Sequence, residues 1–282
     1  ASHITLNAVS TLTLAQEGNI SANDIALTNN SVITHIPKGN IFLNAAKLNI
    51  DITSSISANE TGYKGGASGG IPGEGPGGGG SVIYIAAGGG YGGRGADALF
   101  NALGGSTYGS AMAPMDLGSG GGGASDPQWS WPRKGGNGGG AIKLVVSDTL
   151  ILNGTITANG GNGASGNGGS GGSVYIITSA LTGSGLISAN GGNAAGGGRA
   201  AVYYKTTAFT GNAEAKKGAG GTNGENGTAV FVDGQNNILY AGRTFRFQEN
   251  DNPFNFTKVV LNGSKVTSQG NIQFNAGDLT ID

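Results

Sequence analysis

Cysteine is absent from the sequence, which excludes a disulfide framework, Cys-ligated zinc and thiol catalysis together. Histidine is almost as rare. His3 and His35 are the only two, and they stand in unrelated strand-like segments, so a histidine metal cluster or a Ser-His-Asp triad has little to draw on. Charged residues make up 11% of the chain, against roughly 25% in an ordinary soluble domain. A formal net charge of −1 provides no long-range attraction for nucleic acid or for an anionic membrane surface, so no nucleic-acid partner is expected. Nor is membrane insertion, because no apolar run approaches the ~18 residues that cross a bilayer as a helix.

What replaces these residues is glycine, 59 of 282. It follows no strict three-residue period, which excludes collagen, and the β-branched segments between the Gly tracts exclude simple low-complexity disorder. A Gly-then-strand phrase recurs at Gly80-Ser81-Val82-Ile83-Tyr84-Ile85, Gly140-Ala141-Ile142-Lys143-Leu144-Val145, Gly172-Ser173-Val174-Tyr175-Ile176-Ile177, Gly198-Arg199-Ala200-Ala201-Val202-Tyr203 and Gly227-Thr228-Ala229-Val230-Phe231-Val232. A second phrase runs in step, at Ile20-Ser21-Ala22-Asn23, Ile56-Ser57-Ala58-Asn59, Ile156-Thr157-Ala158-Asn159 and Ile187-Ser188-Ala189-Asn190. A period near thirty residues without helical segments marks a stacked repeat. The expected fold is all-β, a right-handed parallel β-solenoid (β-helix) with Gly-rich loops and one long insertion. Asn and Gly suit its corners because both tolerate the left-handed conformation, and corner Asn side chains can stack as a hydrogen-bonded ladder. The alternative is an antiparallel β-sandwich in which Asn-Gly marks hairpins.

Three parts are expected: N-terminal rungs over 1–61, a Gly-rich solenoid over 62–233 with an inserted loop at 86–139, and C-terminal strands over 234–282 that echo 39–51. Period-two placement puts Ile142, Leu144, Val146, Val174 and Ile176 in the core. The opposite face, with Ile83, Ile85, Val145, Tyr175, Ile177, Val230 and Val232, is apolar too and requires a cover. The Gly tracts could themselves pack side by side as extended polyglycine segments.

Gly39-Asn40-Ile41-Phe42-Leu43-Asn44-Ala45-Ala46-Lys47-Leu48-Asn49-Ile50, followed by Ile56-Ser57-Ala58-Asn59, resembles the rungs of filamentous-haemagglutinin-type β-helices. The Gly-rich middle, from Tyr91-Gly92-Gly93-Arg94-Gly95 to Tyr203-Tyr204, is similar to modules of large bacterial cell-surface proteins. The resemblance covers most of the chain and implies a parallel β-helix exported for adhesion or scaffolding. Such degenerate motifs specify a fold rather than a ligand.

The insertion concentrates what site-like chemistry there is. Trp129 and Trp131, two apart, project to one side if extended and can stack on sugar rings, with Tyr108 and Arg133 as neighbours. Equally, they can fasten the insertion to the apolar outer face. Asp97, Asp116 and Asp126 could supply oxygen ligands for calcium, although no Asp-x-Asp-x-Asp-Gly loop is present. No other cofactor and no catalytic residue is indicated. The leading reading is a non-enzymatic extracellular or cell-surface structural subunit. A glycan- or cell-binding adhesin comes second and a β-helical polysaccharide lyase or hydrolase third. Finally, Gly270-Asn271-Ile272-Gln273-Phe274-Asn275-Ala276-Gly277-Asp278-Leu279-Thr280-Ile281-Asp282 echoes Gly39 to Asp51, and the N-terminus opens on Ile4-Thr5-Leu6. The echo predicts head-to-tail self-assembly through Ile4, Leu6, Ile272, Phe274, Leu279 and Ile281, with an axial repeat of about 40–50 Å. The other possibility is that the echo is the next repeat of a longer solenoid.

Overall fold

The computed structural model describes residues 2–15, 17–125, 132–164, 167–248 and 251–281. Its strands are, in order, β1 (His3–Leu6), β2 (Thr11–Leu14), β3 (Glu17–Leu27), β4 (Val32–His35), β5 (Asn40–Ile50), β6 (Ser55–Ser57), β7 (Ser81–Val82), β8 (Ile85–Ala86), β9 (Ala141–Leu152) and β10 (Thr155–Thr157). They continue as β11 (Ser173–Gly183), β12 (Leu186–Ser188), β13 (Arg199–Tyr204), β14 (Thr206–Phe209), β15 (Asn212–Glu214), β16 (Thr228–Asp233), β17 (Ile238–Gln248), β18 (Phe254–Gln269) and β19 (Phe274–Ile281).

Up to β16, apart from the β7-β8 pair, the chain passes repeatedly between two sheets. The larger runs β1-β3-β5-β9-β11-β13-β16-β17-β18-β19, with β14 also on β11, and the smaller runs β2-β4-β6-β10-β12-β15. Every pairing in both is parallel except β16 with β17. Predominantly parallel pairing rules out the antiparallel sandwich.

Register turns the repeat phrases into buried rows. In the large sheet Ile20, Leu43, Leu144, Ile176 and Val202 pair in succession, and so do Ile25, Leu48, Leu150 and Leu181. In the small sheet Ile33, Ile56, Ile156 and Ile187 do the same. All belong to one core between the sheets, and each fully buried Leu or Ile contributes roughly 1.5–3 kcal/mol over exposure. Period-two alternation within β5 (Ile41, Leu43 and Ala45 buried) and β9 (Ile142, Leu144 and Val146 buried) is what delivers these side chains to one face.

The Asn corners form a ladder by a different geometry from the one expected. Asn59 Oδ1 accepts the main-chain N–H of Asn159 (2.8 Å), Asn159 Oδ1 that of Asn190 (2.7 Å), and Asn190 Oδ1 that of Lys216 (2.7 Å). None of these three Asn residues has a positive φ, whereas Asn29 and Asn30 do. Asn is needed at the former corners as an acceptor, not for left-handed backbone.

The phrase at Gly80 is not a rung. Ser81–Val82 and Ile85–Ala86 pair antiparallel as a separate two-stranded sheet, while β5 and β6 pair directly with β9 and β10. Between β6 and β9 the chain therefore makes one long excursion from the two large sheets, and the Gly80 phrase lies within it. The apolar run of a tight hairpin has the same alternation as a rung strand, and spacing alone did not separate them.

Most of this excursion has no strand, yet its main chain is densely bonded. The N–H groups of Gly118 and Gly121 donate to Gly139 and Gly136, while those of Gly120 and Gly123 donate to Glu74 and Ile71. Partners recur every three residues, the period of an extended polyglycine or polyproline II segment. A Cβ on Gly121 would lie 1.9 Å from the Asn167 carbonyl oxygen, and one on Gly138 at 1.9 Å from that of Gly118. Neither has a positive φ, so glycine stands here for lack of a side chain, not for conformational freedom.

A second core lies on the opposite face of the large sheet. Ala200, Val202, Ala229 and Phe231 face the first core, while Ala201, Val230 and Val232 join Leu239, Ala241, Phe245, Phe254, Val259 and Leu261 in the second. The cover required for the outer face is thus the C-terminal strands together with the segment around Met112.

His35, at the end of β4, sits under the start of the excursion. It is 3% exposed, its Nδ1 2.6 Å from the Ile36 carbonyl oxygen and its Nε2 2.9 Å from Thr61 Oγ1. Burial lowers its pKa, partly offset by the Ile36 bond. The unfolded chain therefore binds the proton more readily than the folded one. Stability should be level above pH 7 and decline as pH falls through about 6.5 toward the folded value. Melting temperatures between pH 8 and 5.5 should show that slope, and His35→Gln should flatten it.

Candidate functional sites

The excursion is anchored to the large sheet by a buried polar cluster. Tyr91 is fully buried, with its hydroxyl 2.7 Å from Ser173 Oγ, and Ser173 Oγ–H donates to the Asp116 carbonyl oxygen at 2.6 Å. Tyr108 packs against Tyr91 with ring centroids 4.7 Å apart. Its hydroxyl donates to the Leu117 carbonyl oxygen at 2.5 Å and lies 2.8 Å from Ser119 Oγ. Desolvation pushes the Tyr91 hydroxyl up to about 12 and raises that of Tyr108 further. Arg199 is the hinge of the cluster. Its guanidinium donates through Nε (3.1 Å) and Nη2 (2.8 Å) to the Tyr108 carbonyl oxygen and lies 5.3 Å from the Tyr91 ring centre.

The hydroxyl of Tyr108, a half-buried residue, is therefore engaged within the anchor by Leu117 and Ser119. Arg133 pairs main chain with Ala124 and lines a groove of about 520 Å³ with Tyr84, Asp97 and Leu99. Trp129, Trp131 and Asp126 lie outside the described residues. Asp97 forms a bidentate pair with Arg94 at 2.9 and 2.5 Å and accepts the Gly104 N–H at 2.8 Å. The Arg94 bond, first among these, holds its carboxyl below the usual range. Asp116 is exposed. Among the described residues, which do not include Asp126, no group of three or more acidic or histidine side chains is placed to hold a metal.

The residues expected at the assembly interface lie on or beside β1 and β19 of the large sheet. On β1, Ile4 and Leu6 are half-buried against the first core. Near and on β19, Ile272 and Phe274 are half-buried against the second core, and Leu279 and Ile281 are 48% and 68% exposed. Polar contacts flank both strands: His3 Nδ1 is 2.8 Å from Asp24 Oδ2, and Lys258 Nζ is 3.2 Å from Asp278 Oδ2.

Sequence reasoning missed Tyr91 and Arg199 as anchors, and Asp251. The Asp251 carboxylate accepts the Ala111 N–H at 2.9 Å and the Ser110 hydroxyl, tying the excursion to the C-terminal strands. The one available signal was Arg199 itself, a charge in the middle of an otherwise apolar rung phrase.

Compared with protein-family models, curated proteins and solved structures, the chain matches none.

Proposed function

We propose that the chain is a structural subunit of a cell-surface or extracellular filament or matrix, built as a right-handed parallel β-solenoid and without a catalytic role. The solenoid reading is supported by strands that alternate between two sheets and bond to the strand one circuit further on, in registers of 21 residues (His3 to Asp24) and 23 residues (Asp24 to Lys47). The right-handed sense follows the general preference of parallel crossovers. Scarce charge and abundant Asn, Thr and Gly support an external location. The Gly-rich excursion acts as a stiffening layer on the solenoid.

The observation that carries the assembly reading is the outer strand β19, on which Leu279 and Ile281 extend the buried rows of Val259 and Leu261 yet stand 48% and 68% exposed. Apolar rows that run out to the edge of a sheet are a template for another chain. Sedimentation velocity over rising protein concentration, with electron microscopy of the same samples, tests it. Rods should lengthen along one axis with a subunit rise near 48 Å, from ten strands at about 4.8 Å. A protein that remains monomeric at millimolar concentration overturns the reading.

A further inference from the structure

We infer that Asn223-Gly224 is a self-modifying step of the folded chain, at which the side-chain amide of Asn223 is lost as ammonia and the residue becomes aspartate or isoaspartate. The chemistry belongs to Asn-Gly pairs that are free to move. The Gly N–H gives up its proton, its nitrogen bonds to the Asn Cγ, and the Cγ–Nδ2 bond breaks with release of ammonia. Water then opens the succinimide ring. Cleavage of the new bond from Cγ to the Gly nitrogen leaves aspartate, whereas cleavage of the original main-chain bond leaves isoaspartate, with the chain rerouted through the side chain.

Nine Asn-Gly steps occur in the sequence, and the fold restrains them unequally. Asn262-Gly263 lies within β18. At six others the Gly N–H is already engaged: Gly138, Gly154, Gly160, Gly168, Gly191 and Gly227 donate to main-chain carbonyl oxygens of neighbouring segments at 2.7–3.2 Å. Their Asn side chains are pinned as well, Asn137, Asn190 and Asn226 accepting the N–H groups of Gly65, Lys216 and Lys217. A Cβ on any of the six glycines would lie 2.5 Å or less from a main-chain atom, so there is no room for the peptide plane to swing. Asn162 keeps one restraint, the Asn193 N–H on its Oδ1. At Asn223-Gly224 both are missing. Among the described residues no acceptor is placed for the Gly224 N–H, a Cβ there would meet nothing closer than 3.4 Å, and Asn223 is exposed. The side-chain amide of Asn223 donates to the Asp97 carboxylate, a bond that leaves the following N–H unengaged.

The position of the step gives the reaction a consequence. It lies between two attachments of this loop to the excursion, the bridge of Thr222 with Asp97 and the bond from the Glu225 N–H to the Arg94 carbonyl oxygen (2.9 Å). Conversion replaces the amide that donates to Asp97 by a carboxylate that repels it. Isoaspartate also adds one main-chain atom between the two attachments. The modification is a one-way, base-promoted release of the loop from the excursion.

Site-resolved mass spectrometry of the full chain, held folded at mildly alkaline pH, tests it. Aspartate and isoaspartate should accumulate at Asn223 roughly tenfold or more faster than at Asn137, Asn190 or Asn226, which react only after local opening. In denaturant the four rates should converge. Gly224→Ala adds the Cβ that hinders ring closure and should slow the reaction by roughly tenfold with an unchanged melting temperature. Asn223→Asp should reduce hydrogen-exchange protection of the Gly104 and Glu225 N–H groups, which are bonded to Asp97 and Arg94. Equal rates at the four steps in the folded chain, or a difference that persists in denaturant, would overturn the inference. Unaltered exchange in Asn223→Asp would overturn the release.

Discussion

Gly121→Ala should lower the stability of the folded chain by about 3–5 kcal/mol, the sum of overpacking and two disturbed main-chain hydrogen bonds. The added methyl would meet the Asn167 carbonyl oxygen at 1.9 Å and that of Gly168 at 2.4 Å. Both are main-chain atoms of a neighbouring segment, so no rotamer change relieves the contact. Moving either segment stretches the bond from the Gly121 N–H to the Gly136 oxygen and the bond from the Gly66 N–H to the Gly121 oxygen. Gly242→Ala is the matched control. Nothing lies within 4 Å of a Cβ there and its φ is not positive, so the change should be neutral or stabilise by a few tenths of a kcal/mol through the unfolded chain. Denaturation midpoints of the two variants decide the matter. Equal effects would mean that the Gly-rich tracts are not packed as described.

The second large effect concerns Arg199. It is fully buried, and desolvation lowers its pKa more than its neighbours restore it. Among the described residues its close acceptors are the Tyr108 carbonyl oxygen and, at 3.5 Å, Thr228 Oγ1. Arg199→Ala leaves a cavity and strips the Tyr108 carbonyl of two donors, so a loss of about 3–5 kcal/mol is expected. Arg199→Met keeps most of the volume and removes the buried charge together with its desolvation cost. Its expected loss is about 1–2 kcal/mol, from the unpaired carbonyl alone. Chemical denaturation of the two variants distinguishes packing from charge. A Met variant as unstable as the Ala variant would show that the guanidinium hydrogen bonds, not the filling of space, hold the excursion to the sheet.

The parallel rows of the two sheets were legible because their physics is local and repeated. Leu43, Leu144 and Ile176 recur at equivalent places in similar phrases, and period-two alternation is enough to send each inward. The corner residues Asn59, Asn159 and Asn190 could be picked out for the same reason, although their part as acceptors depends on the neighbouring coil's N–H and is not written in any one phrase. What was hidden depends on long-range partners. Ser81-Val82-Ile83-Tyr84-Ile85-Ala86 has the composition of a rung, and only the absence of a matching row in either sheet makes it a hairpin, with Ile83 62% exposed. The reversal at β17 was equally hidden, since Ala241 and Leu239 alternate as well in either direction. The contact between Tyr91 and Arg199 joins residues 108 positions apart and leaves no periodic trace.

The three-residue hydrogen-bond period of 118–123 has a consequence for how the chain reaches its folded state. The partners of this tract come from residues 71–74 on one side and 136–139 on the other, with Asn167 and Ser170 beyond them. Nothing within the tract itself can hold it in shape, because polyglycine lacks both side-chain contacts and internal main-chain bonds. Each glycine also surrenders more conformational entropy than any other residue when it is fixed. Ordering must therefore wait until segments roughly fifty residues apart have already converged. That places the Gly-rich layer late in folding, condensing onto rungs that formed first, and makes those rungs the template on which a sequence with almost no local code acquires a unique structure.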